Sequence, residues 1–196
     1  MGKWFPTVYD WAMNPFEKGR FEEIRRELIH KVYGKVLEIG AGSGINFPFY
    51  RDVEGVDAIE PNPAMVAKSN RRSELAVVPI HIHEQKAENL SFDDDTFDTV
   101  IATLVFCTIP NPVQALEEIK RVCKPGGKVL FFEHVKMEQP NLAHLQDWLN
   151  PFWKRICDGC HLNRETLELV KESGIEVVSV SSYYKGLFLT VECVNH

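Results

Sequence analysis

Apolar positions along this chain change their spacing, from intervals of three or four residues to short continuous runs. Between Phe16 and Tyr33 the interval is three or four, which predicts an amphipathic helix that Gly34 ends. Short apolar runs between turn residues predict strands, and the run Val36–Ile39 follows that helix directly. Further strands are predicted around Asp57–Ile59 and at Val77–His83, Thr99–Thr103, Lys128–Phe132, Glu176–Ser182 and Leu187–Val194.

Helical spacing returns between these runs. Asn62 and Pro63 suit the cap and first position of one helix, Val113 to Cys123 forms a second, and Asn163 is the predicted cap of a third. Strands that alternate with helices predict an α/β fold, a Rossmann-like, doubly wound and mostly parallel sheet of seven strands. The last two strands, joined by a short turn, are expected to form a C-terminal antiparallel pair.

Two aromatic-rich segments fall outside this alternation. We expect residues 1–196 to form a single domain, in which residues 1–33 give an N-terminal lid and helix and residues 134–162 an insertion over the sheet. The two segments either pack on each other as a satellite core or enclose an apolar substrate, and the two interpretations are compatible.

A glycine-rich turn follows the first strand. Gly40, Gly42 and Gly44 allow the backbone to bend sharply and to approach a ligand closely, and Ala41 lies between the first two. Glu60 follows the second strand, where a carboxylate can accept hydrogen bonds from both hydroxyls of a ribose. Together they predict a nucleoside site at the carboxyl ends of these strands.

The residues around the turn indicate which nucleoside it binds. A dinucleotide fingerprint places its third glycine where this chain has Ile45, and Glu38 lies two residues before Gly40. A carboxylate there disfavours a pyrophosphate and favours an ammonium group, which S-adenosylmethionine carries. We therefore expect Glu38 and the backbone of Gly40 to Gly44 to hold the methionine end of that cofactor. A nicotinamide-dependent oxidoreductase is the alternative on this fold.

Composition limits which partners, compartment and metals are expected for this protein. The 196 residues carry a formal net charge of −6, which argues against nonspecific binding to nucleic acid. No apolar run approaches the length of a membrane span and no secretory signal is visible, so we expect a cytoplasmic protein with five reduced cysteines. The sequence Cys157-Asp158-Gly159-Cys160-His161 could attach haem or bind zinc, but without an export signal or a second Cys-x-x-Cys pair the prediction is no metal.

With these residues in view, the chain resembles class I S-adenosylmethionine-dependent methyltransferases, and within them the methyltransferase-like seven proteins and their bacterial relatives. That family's animal members methylate small thiols and associate with membranes, so the resemblance implies S-adenosylmethionine as cofactor and leaves peripheral membrane contact open. The resemblance rests on Val36–Gly44, Glu60, Ala87–Phe92, Phe97–Cys107, Leu116–Gly127, Phe132–Val135 and Asp158–Thr166.

The resemblance and the positions of the motifs assign further residues to the cofactor. Tyr9 and Met13 are expected to close over the methionine end, and Leu104 to face the cofactor after the fourth strand. The ribose is expected to have Asn62 or Met65 beside Glu60, and the adenine to lie against Ala87 and Glu88.

The acceptor is a small, apolar or amphipathic molecule: a thiol, a phenol or quinone, an amine or a lipid head group. The candidate acid-base groups are His134 and Asp158, and each is also explained as a structural residue. Thr103 to Phe106 lacks the motif expected for methylation of a nucleic-acid base, so nucleic acid is not an expected partner. A binding module without catalysis is a further alternative, and the oligomeric state is open.

Overall fold

The alternating pattern folds into one seven-stranded sheet. The structure is a computed structural model that describes residues 19–157 and 159–196. The strands are β1 (Lys35–Ile39), β2 (Gly55–Ile59), β3 (Ile80–His83), β4 (Phe97–Thr103), β5 (Cys123–His134), β6 (Glu176–Tyr183) and β7 (Phe188–Val194).

The strand order is β3-β2-β1-β4-β5-β7-β6. The first five strands pair in parallel, whereas β7 pairs antiparallel with both β5 and β6. This confirms the predicted doubly wound sheet with its C-terminal antiparallel pair. Because the chain winds from β1 outwards to β3 and then returns to β4, the direction of winding reverses between β1 and β4. Ligands of such sheets bind outside the carboxyl ends of the strands at that reversal.

The sequence Pro125-Gly126-Gly127 predicts a turn before the fifth strand, but it lies inside β5. Cys123 pairs with Phe97, and the register then shifts so that Lys128 pairs with Thr99. Gly126 has a positive φ of 78° in this irregular stretch, a conformation that glycine adopts without strain. The turn residues therefore make a bulge within the strand, and β5 begins earlier than the apolar pattern indicates.

The helices are α1 (Arg20–Ile29), α2 (Pro63–Ser73), α3 (Pro112–Val122), α4 (Pro140–Ile156) and α5 (Thr166–Glu172). The Asn62 side chain accepts from the Ala64 backbone N–H, which confirms it as the cap of α2. Asn163 is not the cap of α5, since Glu165 has that position and the Asn163 amide donates to Asp147 Oδ1 at 2.7 Å. The apolar spacing also missed α4, within the segment expected to be an insertion.

Two hydrophobic cores lie on opposite faces of the sheet. One joins Leu37 of β1 and Phe131 of β5 to α3 and α5, and the other joins Val36 and Phe132 to α1. Alternate residues of each strand enter different cores, as the pleat of a strand requires. Within the described ranges, no helix is long and apolar enough to cross a membrane.

Candidate functional site

The loops after β1, β2 and β4 meet at the reversal point of the sheet. The backbone N–H of Ala41 donates to the Ile59 carbonyl at 2.9 Å, and that of Gly42 donates to Glu60 Oε2 at 3.0 Å. The glycine turn is thus fixed to the end of β2. A glycine turn of this kind after a strand predicts a helix directly behind it, but the structure has a short 3-10 segment there, Phe47–Phe49.

Gly42 has open space beside its backbone. Its φ is +56°, and a Cβ built there would meet no atom of the described residues within 4 Å. A Cβ on Gly40, whose φ is +65°, would lie only 2.2 Å from Val105 Cγ2. Gly40 therefore lets the loop after β4 pack against the turn, whereas Gly42 keeps a bare backbone surface open, as a closely bound nucleoside requires.

Glu60 joins the two elements beneath the predicted ribose. It is 7% exposed, and its Oε1 accepts from the Asn62 backbone N–H at 2.8 Å while Oε2 accepts from Gly42. Burial raises the pKa of Glu60, and these two backbone hydrogen bonds partly offset the rise. An ionised carboxylate has about four acceptor sites, so two stay available for ribose hydroxyls.

Asn62 and Met65 begin α2 beside Glu60. The Asn62 side chain is engaged in its cap, and Met65 is buried at the same end of the helix. Their predicted contact with the ribose stays a prediction, but the position agrees with it.

Glu38 lies deeper than its predicted role requires. It is 1% exposed and accepts from Asn46 Nδ2 and from the Tyr50 hydroxyl, each at 2.8 Å. Burial raises its pKa to about 7, against these hydrogen bonds and the charge of Arg25. Arg25 Nη1 in turn donates to Thr103 Oγ1 at 2.8 Å. This network supports the turn from below and ties it to the end of β4, so a direct bond from Glu38 to a ligand ammonium stays a prediction.

The segment predicted to border the adenine follows β3. Ala87 is buried, and Glu88 Oε1 accepts from the Asn111 backbone N–H at 3.3 Å. Gln85 accepts from Ser91 through its Oε1, while its buried Nε2 has no hydrogen-bond partner among the residues described. A buried amide donor without a partner suits the ring nitrogens of an adenine, so Gln85 stands beside Glu88 as a candidate for the adenine contact that the sequence predicts.

Leu104 has a backbone conformation that side chains rarely adopt. Its φ is +53°, and its backbone N–H donates to the Phe132 carbonyl at 2.7 Å. Strain of this kind persists where surrounding contacts enforce it, and it concentrates at functional sites. The bend directs the chain from β4 into the loop that packs on Gly40.

Three predicted site residues lie outside the described residues. These are Tyr9, Met13 and Asp158, and their expected roles stay predictions.

His134 ends β5 and lies beside two thiols. Its Nε2 is 3.2 Å from Cys160 Sγ, and the donor atoms of Cys107, His134 and Cys160 all lie within 4.8 Å of one another. We call these three residues the thiol–imidazole cluster. From the sequence alone, Cys107 is interpreted as buried packing, and Cys160 as part of the pattern that runs from Cys157 to His161. The cluster became visible only once the sheet had placed β4 and β5 side by side.

The residues of the cluster shift one another's pKa values. A hydrogen bond from Cys107 and contact with His134 lower the pKa of the Cys160 thiol to about 4, despite burial. The same bond, with burial, raises the pKa of Cys107 far above its usual range. Burial alone would lower the pKa of His134, but the Cys160 contact outweighs it and the pKa is raised. The contacts within the cluster therefore favour the ionised form of Cys160 and the neutral form of Cys107.

Glu133 links the cluster to the donor loop. Its Oε1 accepts from the backbone N–H groups of Val105 at 2.9 Å and Phe106 at 3.1 Å. Burial raises the pKa of Glu133 to about 7, against these two bonds. The carboxylate thus fixes the loop whose two ends contact the glycine turn and the cluster.

The helix α4 is attached near the cluster by Gln146. The Gln146 amide donates to the carbonyls of Val135 at 3.1 Å and Leu162 at 2.9 Å, and its Oε1 accepts from the Met137 backbone N–H at 2.7 Å. The rest of the helix is weakly packed and shows an exposed apolar stripe. The stripe consists of Leu145, Trp148, Phe152 and Ile156.

Comparison with known proteins agrees with this fold. The Methyltransferase domain family matches residues 37–131, which run from β1 into β5. A SAM-dependent methyltransferase from Aquifex aeolicus has the same fold, with a TM-score of 0.70 over 97% of this chain and 98% of that one at 19% identity. The fold and its donor site thus define the class, the S-adenosylmethionine-dependent methyltransferases.

Curated relatives narrow the class. The thiol S-methyltransferase TMT1B is 36% identical over 74% of this chain in Rattus norvegicus and 30% over 85% in Homo sapiens. The chain spans 61% of the rat protein and 75% of the human one. A phosphatidylethanolamine N-methyltransferase of Cereibacter sphaeroides is 28% identical over 92% of this chain and 91% of its own length. This chain belongs to the methyltransferase-like seven family of class I methyltransferases.

The site fits S-adenosylmethionine as the methyl donor. The bare backbone at Gly42, the free acceptor sites of Glu60 and the unpartnered donor of Gln85 match a ligand with a ribose and an adenine. When bound, this cofactor supplies a methyl group on a positively charged sulfur, activated for transfer to a nucleophile.

Proposed function

We propose that this chain methylates the sulfur of a small thiol. The observation that carries the proposal is that the donor turn and the thiol–imidazole cluster meet at one loop, 104–107. Val105 packs on Gly40 at one end of that loop, and Cys107 belongs to the cluster at the other. The site for the methyl donor and a cluster that contains two thiols are therefore neighbours on one edge of the sheet.

Transfer from a sulfonium needs position more than it needs an acid. The enzyme's main contribution is to hold the acceptor in line with the methyl carbon at contact distance. The acceptor must also be ionised, because a thiol has a pKa of about 8.5 and its thiolate is the nucleophile. The new carbon–sulfur bond forms as the donor's bond to that methyl breaks, and the acceptor's proton leaves beforehand. The cluster is the group at this edge that can favour the ionised acceptor.

The names of the relatives support a thiol. TMT1B of rat and human and TMT1A of human are thiol S-methyltransferases, and the human proteins match 85% and 87% of this chain. The names of the relatives bear only on which atom is methylated. The size and shape of the acceptor depend on the segment after β5.

We assign that segment, residues 134–162, as a substrate cap within a single domain. Gln146 anchors α4 to the exit of β5, next to His134. The exposed apolar stripe of α4 gives the cap an apolar surface. Such a surface suits an apolar or amphipathic acceptor more than a charged one.

A second candidate is methylation of a lipid amine. The exposed stripe favours it, since Trp148 is 76% exposed on a helix beside the proposed acceptor edge. The relative from Cereibacter sphaeroides, named a phosphatidylethanolamine N-methyltransferase, covers nearly the whole chain. Such an acceptor would be presented by a membrane surface and would not need the cluster.

One assay separates these candidates. The purified chain is given S-adenosylmethionine with an isotopically labelled methyl group, together with a short alkyl thiol or with phosphatidylethanolamine vesicles, and products are identified by mass spectrometry. We expect a labelled methyl thioether. Label on the lipid amine alone would overturn the thiol in favour of the second candidate. Micromolar binding of NAD(H) without binding of S-adenosylmethionine would instead favour the oxidoreductase alternative.

A further inference from the structure

The thiol–imidazole cluster resembles a set of metal ligands more than a packed core. Cys107 comes from the loop after β4, His134 from the end of β5 and Cys160 from the segment after α4. Three separate elements thus aim their sulfur and nitrogen atoms at one point. Two thiols and an imidazole are the ligands that zinc prefers in proteins.

The fold supports this convergence on each side. Thr103 of β4 pairs with Phe132 of β5, which places Cys107 and His134 at the same edge. The backbone N–H of His161 donates to the Cys107 carbonyl at 2.9 Å, which fixes the chain just after Cys160 beside that loop. The positions of the three ligands therefore depend on backbone contacts that hold without a metal.

The distances are close to those of a tetrahedral zinc site. Zinc bonds of about 2.3 Å to sulfur and about 2.0 Å to nitrogen separate neighbouring ligands by roughly 3.5–3.8 Å. The His134 Nε2 to Cys160 Sγ distance is 3.2 Å, and all three atoms lie within 4.8 Å. Small side-chain movements would bring the set to coordination geometry.

An unpartnered buried nitrogen is a second, independent observation. If Nε2 of His134 binds a metal, Nδ1 carries the proton. In the part of the chain that the structure describes, Nδ1 is buried without a hydrogen-bond partner, and so is Oε2 of the adjacent Glu133. A ligating histidine normally donates its other N–H to a carboxylate, a carbonyl or a water, and Nδ1 of His134 has its N–H available for such a partner.

We propose that Cys107, His134 and Cys160 bind a zinc ion that takes the acceptor thiol as its fourth ligand. Three protein ligands with an open fourth position are typical of catalytic zinc sites. This deepens the proposed function, since its thiol part rests on thiol methylation. It also replaces the expectation of no metal, which considered the ligands Cys157, Cys160 and His161.

The proposal accounts for the ionisation of the acceptor. A thiol that coordinates zinc loses its proton outright, here to solvent, and a sulfur–zinc bond forms. The bound thiolate then forms the carbon–sulfur bond to the methyl group as the donor's own bond breaks. The product is a neutral thioether, which is a weaker zinc ligand and leaves. No oxidant or reductant is consumed.

Metal content tests the site itself. The full chain, reduced and stripped of metal, is titrated with Zn²⁺ or Co²⁺, followed by elemental analysis and by the visible absorption of cobalt–thiolate bonds. We expect one ion per chain, and a loss of affinity of about a hundredfold or more in Cys160→Ser and in His134→Gln. Cys157→Ser is the matched control and should bind normally. No binding by the wild-type chain, or equal binding by Cys160→Ser, would overturn the site.

Addition of a short alkyl thiol to the cobalt form tests the fourth position. We expect the added thiol to shift the cobalt absorption. The shift should be the same in the wild type and in Cys157→Ser. An unchanged spectrum would overturn the open position while the metal site stood. Since this spectrum needs no methyl transfer, failure of the proposed function shows separately as metal and thiol binding without a methyl thioether.

Discussion

The carboxyl edge of the sheet has a donor half, around the glycine turn and Glu60, and an acceptor half, around the thiol–imidazole cluster. The two halves are built from different chemical groups. The donor half uses backbone: N–H groups of Ala41, Gly42 and Asn62 are bonded to carbonyl or carboxylate oxygens. The acceptor half uses reactive side chains, and two of its atoms, His134 Nδ1 and Glu133 Oε2, are buried without partners among the described residues. A frame of bonded backbone groups suits a ligand shared across a class, whereas reactive side chains suit a chemistry particular to one family.

The two halves also differ in packing. The donor half lies between the two hydrophobic cores and is supported by the buried Glu38 network. The acceptor half is covered by α4, which carries an exposed apolar stripe and is attached through Gln146. Changes in one half should therefore be separable from changes in the other, and four experiments test that separation.

The largest effect is expected from Glu38, in the stability of the donor half. Its pKa of about 7 in the folded state exceeds the ordinary value of 4.5, so the folded state binds its proton more tightly than the unfolded state does. The contribution of Glu38 to stability is then greatest below pH 4.5 and is lost as the pH rises through 7, by up to about 3 kcal/mol. Urea unfolding between pH 4.5 and 8 measures this slope.

Glu38→Gln should flatten that slope, because glutamine does not titrate. Part of the slope should persist, since burial raises the pKa of Glu133 to about 7 as well. The acceptor half is then tested by Glu133→Gln. A Glu38→Gln slope identical to the wild type would show that the Glu38 network does not contribute to the pH dependence of the donor half.

The next largest effect is expected from Glu60. Glu60→Ala removes the acceptor of the Gly42 and Asn62 N–H groups and the predicted ribose ligand, so affinity for S-adenosylmethionine should fall by about 2 kcal/mol, roughly thirtyfold. Isothermal titration calorimetry measures it. Glu74→Ala, at an exposed glutamate after α2, is the matched control. Equal affinity of Glu60→Ala and Glu74→Ala would remove Glu60 from the ribose site.

A change in the acceptor half should not alter the affinity for the cofactor. Gln146→Ala leaves the Val135 and Leu162 carbonyls and the Met137 N–H without their partner, which should lower the free energy of unfolding by about 1–2 kcal/mol. Hydrogen exchange should show the loss of protection concentrated in α4. The KM for the acceptor should rise while the cofactor affinity is unchanged, and a matching loss of cofactor affinity would contradict the division into halves.

The smallest effect is expected from Gly42. Gly42→Ala and Gly126→Ala each place a Cβ on a residue of positive φ, where it meets no atom of the described residues within 4 Å. Each should cost about 1 kcal/mol of stability. Only Gly42→Ala should also reduce cofactor affinity, by about tenfold, because its Cβ enters the donor site. Thermal melts and calorimetry on both variants make the comparison. Equal cofactor affinities would show that the ligand does not approach Gly42.

The sequence predicted the donor half well because local patterns encode it. The apolar runs, the three glycines and Glu60 lie within one stretch, and the parallel sheet follows from their alternation with helices. The burial of Glu38 was not predictable from spacing, because it depends on Tyr50 and Asn46 folding back over β1.

The acceptor half was harder to predict because its residues meet only through the fold. Cys107, His134 and Cys160 are far apart in the chain, and the Cys-x-x-Cys spacing pointed to Cys157 instead. α4 was missed because Trp148, Phe152 and Pro151 interrupt ordinary helical patterning with exposed apolar residues. Gln146, which anchors that helix, has no motif, and only its three hydrogen bonds identify it.

The division of the edge into a donor half and an acceptor half is tested most directly by one calorimetric titration. S-adenosylmethionine is titrated into the wild-type chain, Glu60→Ala and Cys160→Ser under the same reducing conditions. We predict that Cys160→Ser binds the cofactor with wild-type affinity while Glu60→Ala binds it roughly thirtyfold more weakly. A loss of affinity in Cys160→Ser as large as that in Glu60→Ala would contradict the account.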